Sequence, residues 1–255
     1  MMSALAPHIV ILPLLAPLLT GILLVLLRGS ATPLRRNISM LGMQASFAAA
    51  LMLLLAVADG GILTYQLGNW PAPFGILLVA DRLSALMVLL TSLLAVLVMI
   101  HAIHGSDRRG RQFHVLFQFQ LFGLNGAFLT GDLFNLFVFF EVLLIASYGL
   151  LLHGLGPARS RAGLHYVVVN LVGSSLFLFA VGTLYGLLGT LNMAQLSERF
   201  AALPAADRPL ADAAMLLLLL VFALKAALAP LHLWLPRAYA HAGPAAAALF
   251  AIMTK

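Results

Sequence analysis

Runs of roughly twenty apolar residues recur along the whole chain, "LSALMVLLTSLLAVLVMIHA" at 83–102 being typical. That is the length a helix needs to cross the hydrocarbon core of a bilayer. Sixty-three per cent of the residues are apolar and 9% charged, and the mean hydropathy is +1.06. Soluble domains carry about a quarter charged residues, so the reading is an integral membrane protein. With no cysteine there is neither a disulfide framework nor a thiolate site. The N-terminal "MMSALAPHIVILPLL" has no Lys or Arg ahead of its apolar stretch, unlike a cleaved signal peptide, and is read as the first retained helix.

The periodicity predicts an all-α polytopic helix bundle forming one transmembrane domain over 1–255. About eight helices are expected, at 7–27, 38–58, 83–104, 113–130, 133–152, 163–189, 212–240 and from 244 onward. The sequence pI is near 10.3, yet the basic residues sit in short loops, which argues for orientation in a membrane and against nucleic acid. Alternate loops hold Arg28, Arg35, Arg36, Arg108, Arg109, Arg111, Arg159, Arg161 and Arg237 on one side. Arg82, Arg199 and Arg208 lie on the other, with Asp59, Asp81, Asp132, Glu198, Asp207 and Asp212. Positive charge retained on the cytoplasmic side then puts the N-terminus outside. In the outer segment 59–82, alternation either side of "GNWPAPFG" suggests a short hairpin. Trp70 would then lie near the outer interface and Trp234 near the inner one.

Glu141, Lys225 and Lys255 fall deep within predicted spans, Glu141 roughly 13 Å from the start of its helix at 1.5 Å per residue. A charge at such depth costs roughly 2.5 to 3.5 kcal/mol on insertion scales and marks a functional path. Desolvation disfavours the charged form of acids and bases alike and brings proton exchange toward neutral pH. The three residues therefore read as a proton relay; the alternative is a buried ion pair that only fixes packing, although two lysines and one acid do not balance. Pro230 lacks an N–H and its ring clashes one turn back, so the helix 212–240 is expected to break there, through packing or as the discontinuous helix of an ion path. Tyr148, seven residues from Glu141, either lines the same path or packs. His232 either passes protons onward or packs. Asp132 reads as a helix cap, Gly173, Gly182 and Gly186 as helix-packing positions, and alanines 245–248 as a close-approach surface that would bring Lys255 near Lys225. No metal-ligand spacing, phosphate loop or catalytic nucleophile motif is present, and neither metal nor cofactor is expected. A terminus at Lys255 would leave charge and open carbonyls in mid-bilayer, so the chain reads as the N-terminal part of a longer protein.

"GDLFNLFVFFEVLLIASYGLLLHG" (131–154), "LKAALAPLHLWLPRAYAHAGPAAAALFAIMTK" (224–255) and "YQLGNWPAPFGILLVADRLSA" (65–85) resemble the D-type subunit of the Mrp-type multisubunit monovalent cation/proton antiporters, a family related to the antiporter-like membrane subunits of respiratory complex I. The resemblance implies a non-enzymatic, proton-translocating subunit of a Na+(K+)/H+ antiporter in a bacterial inner membrane, working with other membrane subunits and exchanging protons for Na+ or K+. It implies that Glu141 modulates Lys225, which relays protons toward Lys255, and that a second inverted repeat completes the fold. The alternative is a proton-pumping membrane subunit of a complex I-like NADH dehydrogenase or membrane-bound hydrogenase.

Overall fold

The computed structural model describes residues 6–154 and 156–253. Among them, ten α-helices are arranged in chain order: α1 Leu12–Leu26, α2 Thr32–Val57, α3 Arg82–Ala102, α4 Phe113–Leu129, α5 Leu133–Leu151, α6 Pro157–Leu188, α7 Met193–Ala201, α8 Arg208–Lys225, α9 Trp234–His241 and α10 Pro244–Met253. Four of them, α2, α3, α5 and α6, are long and apolar enough to cross a membrane, while α1 and α4 are shorter apolar helices.

Several helices start earlier than apolar periodicity suggests. α2 begins at Thr32 and α6 at Pro157, each about six residues ahead of expectation. Arginine is a good helix former, so Arg35, Arg36, Arg159 and Arg161 extend the helices beyond their apolar stretches, and proline in the first turn of each starts them at little cost. α7, polar and nine residues long, was not expected; Asn192 caps it by accepting from the Gln195 N–H at 3.2 Å. Asp81 caps α3 within a capping box with Ser84, and Asp132 caps α5 through the Asn135 N–H at 2.9 Å, the role read from its position.

The expected hairpin is present: β1 (Leu63–Gln66) pairs antiparallel with β2 (Leu77–Ala80). It is stitched to the helix ends beneath it. The Gly131 N–H donates to the Leu77 carbonyl at 2.8 Å and the Met193 N–H to that of Gly131 at 2.9 Å. The segments "TGD" at 130–132 and "TLN" at 190–192 face each other through an antiparallel bridge between Asp132 and Asn192. In each, the threonine hydroxyl accepts the N–H two residues on at 3.3 Å.

α1, α2 and α3 pack about α4, α5 lies along α4, and α6 joins α5 to α8 and α9. Close approach rests on glycine where helices touch: a Cβ on Gly123 would stand 2.8 Å from the Leu143 backbone nitrogen, and one on Gly173 3.0 Å from a Leu224 methyl. Gly182 and Gly186, read from sequence as packing positions, have nothing within 4 Å of a Cβ. They point away from neighbouring helices, since the contact face of α6 there is built by Phe177, Val181 and Leu184.

Candidate functional site

α5, α6 and α8 bring Glu141 and Lys225 to one place, joined by a residue the sequence reading passed over. Ser174 lies close to the middle of the 32-residue α6, about 48 Å long at 1.5 Å per residue. Its hydroxyl donates to Glu141 Oε1 in a short hydrogen bond and accepts from Lys225 Nζ at 3.4 Å. No direct ion pair joins the acid and the base; among the described residues, the salt bridges are those of Asp107 with Arg36 and His114. The Lys225 ammonium also lies over the Phe140 ring, 5.2 Å from its centroid, within range of a cation–π contact.

Lys225 is the last residue of α8, where the negative end of the helix dipole favours a cation. The helix stops there through a left-handed turn rather than at Pro230. Ala227 has φ 53°, the Leu228 N–H reaches back to the Ala223 carbonyl at 2.9 Å, and the Ala227 N–H to that of Leu224 at 3.1 Å. This is the Schellman pattern, with alanine where glycine is usual. Proline follows such an ending because it cannot continue the helix, so Pro230 lies beyond the stop. Trp234 opens α9 on the far side and is 4% exposed. Its indole N–H donates to the Leu224 carbonyl at 3.0 Å, tying the two helical pieces together. Trp234, expected near the inner interface, is buried between helices, with its indole N–H satisfied by the carbonyl at the helix end. Trp70 is 67% exposed.

A cavity of about 270 Å³ opens beside Lys225, with Asn170, Tyr166 and Trp234 as the other polar-bearing side chains on its wall. It has room for several waters. Tyr166 meets Trp234 at a tilt and Tyr148 edge-to-face, with centroids 5.4 Å away in both cases, and its hydroxyl meets Ser147 at 3.0 Å. The tyrosine on the cavity wall is therefore Tyr166, while Tyr148 packs edge-on behind it. His232 is exposed on the 3-10 turn Leu231–Leu233. Ala245 and Ala246 are buried, with α10 against α3 and α5. Lys255 lies outside the described residues. Among those described, no three His, Asp or Glu side chains gather as a metal site requires.

At the arginine-rich end, Asp107 is buried and receives two hydrogen bonds from Arg36 at 2.5 and 2.7 Å, with His114 Nε2 at 3.3 Å. Burial alone would raise the Asp107 carboxyl, but the Arg36 bonds and charge, helped by His114, outweigh it and hold the group below the usual carboxylate range. Asp107 and His114 went unremarked in the sequence, where a single acid stands beside the six arginines of two loops.

Residues 130–255 match the family described as NADH:quinone oxidoreductase/Mrp antiporter, TM. Over 253 residues the chain is 50% identical to a Rhizobium meliloti protein named as a probable K(+)/H(+) antiporter subunit of the D type, covering 97% of this chain and 47% of that one. It is 42% identical to the D-type Na(+)/H(+) antiporter subunit of Alkalihalophilus pseudofirmus, covering 97% and 50%. Its fold matches a chain in the structure of the Mrp complex from Dietzia sp. DQ12-45-1b with a TM-score of 0.86 and 34% identity, covering 96% of this chain and 45% of that one. The chain thus spans about half the length of the curated relatives it matches. Residues 130–255 match the membrane domain of the NADH:quinone oxidoreductase/Mrp antiporter family, and over nearly all its length the chain is similar to D-type antiporter subunits.

Proposed function

We propose that this chain is the N-terminal part of the proton-translocating membrane subunit of a multisubunit Na+(K+)/H+ antiporter, and that Glu141, Ser174 and Lys225 form its proton relay. The observation that carries this is the serine hydroxyl bonded to both ionisable groups. A protonated Lys225 gives a proton to Ser174 Oγ while the serine gives its own to Glu141. A charged pair becomes a neutral one, with no net charge moved off the pair. The Lys225 contact is 3.4 Å, beyond the usual 2.7–3.2 Å for N–H···O, so the lysine end opens first. A proton arriving through water in the adjoining cavity then recharges the amine, and Glu141 releases the proton it received before the next transfer. Moving one charge across 100 mV is worth roughly 2.3 kcal/mol, enough to bias such a relay.

In this reading Arg208–His241 is one transmembrane segment broken after Lys225, one of about eight spans, with the N-terminus outside a bacterial inner membrane. His232, seven residues beyond Lys225, exchanges protons with water, and Lys255 takes the proton onward. The similarity to proteins named as K+/H+ and Na+/H+ antiporter subunits supports the assignment, and their partner membrane subunits supply the rest of the assembly. The test is antiport in everted vesicles carrying the full-length complex. Glu141→Gln and Lys225→Ala should each abolish cation-dependent proton movement while the subunits still copurify; normal antiport by an assembled variant refutes the relay.

The family description also covers NADH:quinone oxidoreductase, which favours a second reading as part of a pump powered by electron transfer. Copurifying iron–sulfur proteins would select that reading, and small membrane subunits alone would select the antiporter.

A further inference from the structure

A second polar site lies at the arginine-rich end of the bundle, outside the relay. There a recess of about 160 Å³ is walled by Thr32, Arg35, Arg108, Arg109, Arg111 and His114. Arg35 is only 6% exposed. One arm of its guanidinium donates to the Arg111 carbonyl, but its Nε donor has no partner. An unpaired donor on a buried cation is costly, and its natural partner is an anion. The one carboxylate on the wall, Asp107, is already engaged by Arg36 and His114. The recess therefore holds four arginines with no free counter-charge.

The start of α2 adds to this field. α2 runs 26 residues from Thr32 with no side-chain cap, so amides of its first turn are open and the positive end of its dipole faces the recess. Leu26 and Leu34, in the same stretch of chain, are 74% and 48% exposed, so apolar surface adjoins the charged one. An occupant with an oxyanion head and apolar tails fits both.

We propose that this recess binds the phosphate of an anionic phospholipid, held by the Arg35 guanidinium and the open amides of α2, with Arg108, Arg109 and Arg111 around it. The shared chemistry is a phosphate oxyanion, and free phosphate is its other source. The site clamps the α2 start to the loop before α4 and so fastens the bundle to the headgroup layer.

The test uses the full-length protein in its complex. Arg108 and Arg111 are exposed, and Arg35 bonds the Arg111 backbone rather than its side chain, so Arg108→Gln with Arg111→Gln keeps the fold. Arg82→Gln with Arg208→Gln at the other end is the charge-matched control. Binding of phosphatidylglycerol in vesicles, and of inorganic phosphate, is read by native mass spectrometry and by the unfolding midpoint. Each basic residue near an anionic surface is worth roughly fivefold, so the double variant should bind phosphatidylglycerol roughly thirtyfold more weakly while the control binds like wild type. If inorganic phosphate alone separates wild type from the variant to the same extent, the lipid is overturned as occupant and the oxyanion site stands. If all three proteins bind both probes alike, the site is refuted.

Discussion

Side chains in this protein are informative in proportion to what their position costs. Glu141 and Lys225 stand out in the sequence because a charge among apolar residues is expensive and unusual. Ser174 does not, because a serine in an apolar helix satisfies itself by bonding back to the preceding turn. Its neighbour Ser175 does this, donating to the Leu171 carbonyl at 3.0 Å, and nothing local distinguishes the two hydroxyls until α5 and α8 are in place. Asp107 behaves differently, as a structural charge. Its carboxyl is held below the usual range, so its stabilisation is full above the ordinary value near 3.9 and is lost as pH falls through the lower folded value. Asp107→Asn should cost about 1–3 kcal/mol at neutral pH by leaving Arg36 and His114 poorly paired. In detergent the gap between the unfolding midpoints of wild type and variant should close below about pH 4. A gap unchanged down to pH 3 would show that Asp107 is not the group responsible.

Elements follow from two separate rules, one legible in the sequence and one not. Apolar length located the first six helices, while the true starts of α2 and α6 depend on arginines and first-turn prolines that a hydropathy reading discards. α7 was missed because it is short and polar, and the stop after Lys225 because an alanine in a left-handed conformation leaves no residue signature. Glycines carry the same ambiguity. Gly123 and Gly182 look alike in sequence, yet one faces the Leu143 backbone and the other faces no neighbour. Gly123→Ala should force α4 and α5 apart and destabilise by about 1–3 kcal/mol, as overpacking does. Gly182→Ala should be neutral or slightly stabilising, since alanine is the better helix former. Thermal unfolding of the two variants decides this, and equal midpoints would mean that the α4–α5 approach does not depend on a bare Cα.

At the scale of the molecule, two ends and a middle do different work. One end is stitched by a hairpin and the paired "TGD" and "TLN" turns, the arginine-rich end is locked by Asp107, and Glu141, Ser174 and Lys225 meet near the mid-height of α6. The bundle was predictable from hydropathy and charge alternation, and the meeting of Glu141 with Lys225 from their depth. The hydroxyl between them and the water-sized space beside Lys225 depend on how three helices lie together. Proton transport by the assembled full-length complex with Ser174→Ala and Ser174→Thr tests the relay most directly. Losing a hydrogen bond to a charged group is worth about 1.5–3 kcal/mol, so Ser174→Ala should slow antiport roughly tenfold or more while Ser174→Thr, which keeps the hydroxyl, stays near wild type; an assembled Ser174→Ala complex that exchanges cations at the wild-type rate would contradict a relay through this hydroxyl.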